Sequence, residues 1–248
     1  MKNNNMENYN RKKVLLVVAG GTGGHIYPSL SLINKMNNYN FLIITDQRGK
    51  GYYKKFFDKR SLNFKIFTHK VSSPSNKSII FIVISLLQIS ISLIKSLLII
   101  LFQKPDVIIG FGGYPSIAPI LAAKICFIPS IIHEQNAIIG RGNRILSKIS
   151  NILALSFVNT KKVKKIKNII FTGNPVRKEF EEIGDDNDIK PNLYKPFTIL
   201  ICGGSLGASY FATELTSIIC QLPEKIRREI KIVQQVRKED LEFVKNKY

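Results

Sequence analysis

Short apolar runs recur along the chain, each bounded by Gly, Pro, Asp or Asn: Val14–Ala19, Phe41–Thr45, Phe64–Thr68, Asp106–Gly110, Ser130–His133, Asn151–Ser156, Asn168–Thr172 and Phe197–Cys202. Each has the length of a buried strand, and helix-length segments separate most of them. Strand and helix in alternation predict a parallel sheet covered on both faces. Ligands of such sheets bind outside the carboxyl ends of the strands. The glycine-rich stretches, Gly20–Gly24, Gly110–Gly113 and Gly203–Gly207, fall at those ends.

One segment breaks the alternation. Ser78–Ile94 carries no charge for 17 residues, near the lower bound for a membrane span. Within it and just beyond, Ser85, Gln88, Ser92 and Lys95 form a polar stripe along a helix whose other faces are apolar. The pattern fits a core helix lying on the sheet, or a helix that also dips into lipid. Lys70, Lys77, Lys95 and Lys104 flank the apolar stretch and suit an anionic membrane surface. A second shift comes at Glu179–Pro196, where the apolar period is lost and acidic residues, glycine and prolines read as a linker. After it, Phe197–Ala208 repeats the strand-and-glycine opening of Val14–Gly24, so a second Rossmann-like domain begins there. The stretch from Phe197 to Tyr248 is shorter than a typical domain of about 100–150 residues.

Composition narrows the partners. The 248 residues are 45% hydrophobic and 22% charged, a globular balance, with 37 Lys+Arg against 17 Asp+Glu and a formal charge of +20. That excess points to an anionic partner, or to solvated lysines in a compositionally biased chain. The basic residues are scattered without an aromatic-interleaved stripe, so nucleic acid is not expected as a partner. Cys126, Cys202 and Cys220 are far apart in apolar or small-residue surroundings and read as buried, reduced thiols, with neither a disulfide framework nor a metal clamp. The basic N-terminus, Met1–Lys13, is followed by too short an apolar run for a signal peptide, and a cytoplasmic protein is expected.

The loop Gly20-Gly-Thr-Gly-Gly-His25 follows a strand and precedes a helix, so backbone N–H groups and the helix dipole face whatever the loop holds. That suits phosphate. The loop is neither the dinucleotide fingerprint, which needs glycine at Ile26, nor a P-loop, which ends Gly-Lys-Ser/Thr. Asp46 could imitate the ribose-binding acid of a dehydrogenase, or serve only as a turn residue. His25 could take a proton from an attacking hydroxyl, or could only hydrogen-bond the loop.

Five stretches carry a resemblance: GGTGGH at Gly20–His25, GFGGYPS at Gly110–Ser116, HEQN at His133–Asn136, GNPVR at Gly173–Arg177 and GGSLGA at Gly203–Ala208. In order and spacing, from Lys12 to about Lys238, the chain resembles the MurG family of glycosyltransferases, which move N-acetylglucosamine from UDP-N-acetylglucosamine to lipid I, the undecaprenyl-diphosphate-linked muramyl pentapeptide, forming lipid II in peptidoglycan synthesis. The resemblance implies an α/β protein with two Rossmann-like domains of the B-type glycosyltransferase fold. Residues 12–178 would form the N-terminal acceptor- and membrane-binding domain, 179–196 the linker, and 197–248 the start of the C-terminal UDP-sugar-binding domain. It further implies an inverting transfer without metal or other cofactor, on a peripheral protein at the cytoplasmic face of the cell inner membrane. Carried over residue by residue, it makes His25 the catalytic base, sets Thr22, Gly23 and Gly24 beside the sugar nucleotide and lipid diphosphate, and matches Asn136, Arg177 and Ser205 to contacts with the UDP-sugar. Two departures stand out. Leu206 occupies a position where the family usually has glutamine, and the family's later donor-binding motifs have no counterpart before Tyr248, so a truncated C-terminal domain is expected. The alternative reading is a membrane- and acceptor-binding remnant lacking most of the donor site.

Overall fold

The structure, a computed structural model, describes residues 12–36, 38–70, 79–163, 166–181, 196–203 and 209–248. The chain divides into two compact units, Met1–Glu181 and Glu182–Tyr248. Most of the expected linker, residues 182–195, lies outside the described residues, as do Lys77 and the glycine loop 204–208 with Ser205.

The first unit is built on a seven-stranded sheet: β1 (Val14–Val18), β2 (Asn40–Thr45), β3 (Phe64–Thr68), β4 (Val107–Gly110), β5 (Ser130–Glu134), β6 (Ile152–Leu155) and β7 (Ile169–Phe171). All pairings are parallel, in the spatial order β3-β2-β1-β4-β5-β6-β7. The eight strands expected from the sequence are present, each end within one residue. Alternate side chains of β1 serve opposite faces of the sheet, as the pleat requires. Leu16 and Val18 join Ile44, Ile108, Ile120 and Leu153 in one core, whereas Leu15 and Val17 join Ile26, Ile33, Phe41 and Phe57 in the other. Because both faces are covered, the strands read as unbroken apolar runs.

Two helices, α1 (Gly23–Lys35) and α2 (Gln47–Phe57), supply the second core, and α3 (Ile79–Gln103), α4 (Ile117–Ile125) and α5 (Arg141–Leu146) lie on the side of the first. Winding proceeds outward from β1 to β3 and then returns to the other side of β1 as β4. The loops after β1 and β4 therefore diverge, and their glycines line the crevice at this switch point.

The long helix meets the rest of the protein through one face only. Of the polar stripe, Ser85 and Ser92 face inward, buried together with Ser96 and Ile100, while Gln88 is half-buried and Lys95 exposed. Leu87, Ile91, Ile94, Leu98 and Leu101 are exposed instead, each to 48% or more. Serine hydroxyls can face inward at low cost because the backbone one turn back accepts from them, as when Ser96 Oγ donates to the Ser92 carbonyl at 2.7 Å. The core-helix expectation therefore holds for the serine face alone, and the helix is long and apolar enough to cross a membrane by length and composition.

After a helical turn α6 (Lys178–Glu181), the second unit holds a parallel pair, β8 (Phe197–Ile201) and β9 (Ile230–Gln234), with three short helices, α7 (Thr216–Cys220), α8 (Glu224–Glu229) and α9 (Leu241–Lys247). The sequence reading did not mark β9. Two strands give little cover, so Phe197 and Leu200 stay exposed. For the same reason Cys202, just past β8, is exposed, which corrects the expectation of three buried thiols; Cys126 and Cys220 are half-buried, and all three are free.

Candidate active site

The first glycine loop is shaped by close approach. Gly20 is buried where any Cβ would lie 3.0 Å from the Pro115 ring and 3.2 Å from the Asp46 amide nitrogen. Gly21 takes φ +86, a conformation glycine adopts freely. Its N–H donates to Asp46 Oδ2 at 2.9 Å, while Asp46 Oδ1 accepts from Gly49 N–H at 2.8 Å and caps α2. Both Asp46 oxygens are thus engaged by backbone, and of its two sequence readings the structure supports the turn residue. Thr22 is the extended N-cap of α1 and makes no side-chain cap bond. Gly23 and Gly24 open the helix, where N–H groups have no carbonyl four residues back and the dipole favours an anion.

His25 sits in that first turn, half-buried. Its Nδ1 lies 3.2 Å from the Gly20 carbonyl oxygen. A carbonyl only accepts, so Nδ1 carries the proton and Nε2 keeps its lone pair. The ring rests on the second glycine loop: a Cβ on Gly113 would stand 3.5 Å from His25 Cε1. Burial pushes the His25 pKa below its ordinary value, outweighing the opposite pulls of the Gly20 bond and of Glu134. The imidazole is therefore neutral near pH 7.

The second loop needs its glycines as well. Gly112 has φ +89, and a Cβ there would meet Asn143 Nδ2 at 2.8 Å. Asn143 in turn bonds the fully buried Glu134, whose carboxylate gathers four donors. Its Oε1 accepts from Asn136 N–H at 3.0 Å and Asn136 Nδ2 at 2.8 Å, and Oε2 from Gly140 N–H and Asn143 Nδ2, each at 2.9 Å. One carboxylate at the end of β5 thereby shapes the loop carrying Asn136 and fixes Asn143 against Gly112. His133, near the carboxyl end of β5, donates its Nε2–H to the Gly173 carbonyl at 3.1 Å and ties β5 to the loop after β7.

Of the residues singled out from the sequence, Thr22, Gly23, Gly24 and His25 share the first turn of α1, and Asn136 is fixed by the Glu134 whose charge acts on His25. Arg177 stands elsewhere. Its guanidinium lies 5.1 Å from the Tyr27 ring and 4.6 Å from the Phe180 ring. It borders a groove of about 370 Å³ between α1 and α2, shared with Tyr52, Lys55, Phe56 and Arg60. Ser205 lies outside the described residues. Sequence reasoning did not single out Glu134 or Asn143. Glu134 falls within the His133–Asn136 stretch that carries the resemblance but has no role of its own there, and Asn143 carried no signal. Among the described residues no cluster of three metal-ligating side chains occurs.

A parallel sheet with paired glycine loops at its switch point defines a Rossmann-like protein. The chain belongs to glycosyltransferase family 28, whose N-terminal domain matches residues 15–154. A curated relative from Rhizobium rhizogenes, a UDP-N-acetylglucosamine–N-acetylmuramyl-(pentapeptide) pyrophosphoryl-undecaprenol N-acetylglucosamine transferase, is 34% identical over 237 residues, covering 94% of this chain and 62% of its own. A relative of the same name from a Wolbachia of Brugia malayi is 34% identical over 244 residues, covering 94% and 63%. Among solved structures, Acinetobacter baumannii MurG superposes with a TM-score of 0.65 at 24% identity, over 95% of this chain and 64% of that one. The UDP-GlcNAc 2-epimerase from Neisseria meningitidis, bound to UDP-GlcNAc, gives 0.59 at 16% identity, over 95% and 68%. These two likenesses are of fold. The chain spans about 62% of the length of the curated relatives it matches.

Proposed function

We propose that the chain supplies the acceptor-binding half of an inverting N-acetylglucosaminyltransferase, acting on UDP-N-acetylglucosamine and lipid I to form lipid II. The observation that carries this reading is the His25 imidazole, neutral, protonated at Nδ1 by its bond to Gly20 and free at Nε2, beside the open helix turn of Gly23 and Gly24. The acceptor hydroxyl gives its proton to Nε2 as its oxygen attacks the anomeric carbon, and the bond to UDP breaks on the opposite face. A positioned base of this kind contributes about 10²–10⁴-fold. The N–H groups at the start of α1 hold diphosphate charge, and preorganised donors strengthen such charge without reorganising. Thr22 borders the same loop, Asn136 offers its side chain from the Glu134-shaped loop, and Arg177 and Ser205 are assigned to the UDP-sugar. No metal or other cofactor enters this reading.

The exposed apolar face of α3, with Lys70 and Lys95 beside it, supports peripheral binding to an anionic membrane at the cytoplasmic face of the inner membrane, where the lipid-linked acceptor resides. The domain assignment, residues 12–178 for acceptor and membrane, 179–196 as linker and 197–248 as the start of the donor domain, is part of the same proposal. The test is UDP release by the purified chain given UDP-N-acetylglucosamine and a lipid I analogue. Release that depends on both substrates supports the transferase. Acceptor binding by calorimetry with no release and no donor binding favours the remnant reading.

A further inference from the structure

A second cavity, of about 480 Å³, lies where β3 ends beside α3. Lys70 and Lys95 line it with Thr68, Gln47 and Gln88, and no carboxylate lines it among the described residues. Gln47 opens α2, whose dipole adds positive potential at that end. His69 completes the lining and is 3% exposed. Its Nδ1 lies 2.6 Å from Ser92 Oγ, and its Nε2 is buried with no hydrogen-bond partner. Burial and then Lys95 push its pKa down to about 4, so the ring is neutral at pH 7 and holds one proton. A serine hydroxyl can serve Nδ1 as donor or acceptor, so the group facing Nε2 decides the tautomer. Beside two ammonium groups, an anionic acceptor favours the proton on Nε2. A buried ring nitrogen without a partner is otherwise stripped of water with nothing in exchange.

We propose that this cavity binds the phosphate of an anionic phospholipid headgroup, with Lys70 and Lys95 neutralising it and His69 Nε2–H donating to one of its oxygens. Ile91 argues for a lipid as the source, because it lines the cavity and also belongs to the exposed apolar face of α3. A headgroup in the cavity thus leaves its acyl chains against Leu87, Ile91 and Ile94. The proposal rests on the membrane-binding reading of α3 and adds a discrete headgroup site to it.

The test has two arms on the full chain. In the first, vesicles of phosphatidylcholine with or without phosphatidylglycerol are sedimented with the native chain, with Lys70→Gln/Lys95→Gln, and with Lys148→Gln/Lys167→Gln, which removes the same charge from exposed positions elsewhere. The cavity variant should lose about tenfold of its preference for the anionic vesicles, and the control no more than about twofold. In the second, chain labelled with ¹⁵N in its histidines is titrated with monomeric dihexanoylphosphatidylglycerol or with inorganic phosphate. The His69 ring signals should shift saturably with the lipid, and more weakly with phosphate at equal concentration. Equal losses in the two variants, or His69 signals unmoved by the lipid, overturn the site; an equal response to phosphate overturns the lipid as its source. Native chain that ignores both vesicles, while its His69 signals still follow the soluble lipid, refutes the membrane reading and leaves the cavity assignment supported.

Discussion

The Nδ1 of His25 is held 3.2 Å from the carbonyl oxygen of Gly20, and that single contact decides which ring nitrogen can accept a proton. The loop carbonyl and the base belong to one six-residue stretch, so the tautomer is fixed locally, before any substrate arrives. His25→Gln keeps a polar side chain but has no basic nitrogen. Turnover should fall by about 10²–10⁴-fold with binding of the lipid-linked acceptor nearly unchanged. Steady-state kinetics together with calorimetry on the variant check this, and a matching loss of affinity would assign His25 to binding instead.

Glu134 acts on His25 at a distance and on its own loop directly. Its charge raises the His25 pKa against the larger effect of burial. Glu134→Gln should therefore move the acid limb of the pH–rate profile to lower pH. It should also destabilise the fold by about 1–3 kcal/mol, because an amide cannot accept from four donors at once. Denaturant unfolding and the pH profile read these two effects separately.

Gly112 offers a purely steric test. Its φ of +89 and the 2.8 Å approach of Asn143 Nδ2 to any Cβ leave no room for a side chain. Gly112→Ala should cost about 1–3 kcal/mol in backbone strain alone, and Asn143→Ala in the same chain should recover part of the loss, since it removes the obstructing amide. Midpoints of denaturant unfolding for the single and double variants measure the coupling.

The strand pattern was legible because strands buried on both faces leave unbroken apolar runs, and the glycine loops were legible because β1 and β4 end at the switch point. The orientation of α3 was not. A stripe of Ser85, Gln88 and Ser92 shows that a helix has two faces, but the sequence does not say which face meets protein and which meets another apolar medium. The role of Glu134 was equally hidden: the residue lies in the His133–Asn136 stretch, but its four donor groups come from residues up to nine positions away, in a loop with no periodicity to read. Arg177 was legible as a cation after a strand, while its seat over Tyr27 depends on α1 passing nearby in space.

The histidines also set an acid limit. His25, His69 and His133 all have pKa values lowered by burial. The unfolded chain takes up these protons near pH 6.5, the ordinary histidine value, whereas the folded chain resists them. Their contribution to stability is therefore complete above that pH and declines as pH falls, for His69 down to about 4. His69→Gln should flatten the decline between pH 6.5 and 4 by about 1–3 kcal/mol, measured by unfolding at a series of pH values.

The most direct measurement is the ¹⁵N spectrum of the His25 ring in the full chain at pH 7.5, followed down to pH 5. Nδ1 should be protonated and Nε2 bare, with the second proton arriving only below pH 6.5. A ring that carries its proton on Nε2, or that is already an imidazolium at pH 7.5, would contradict a base poised beside the glycine loop.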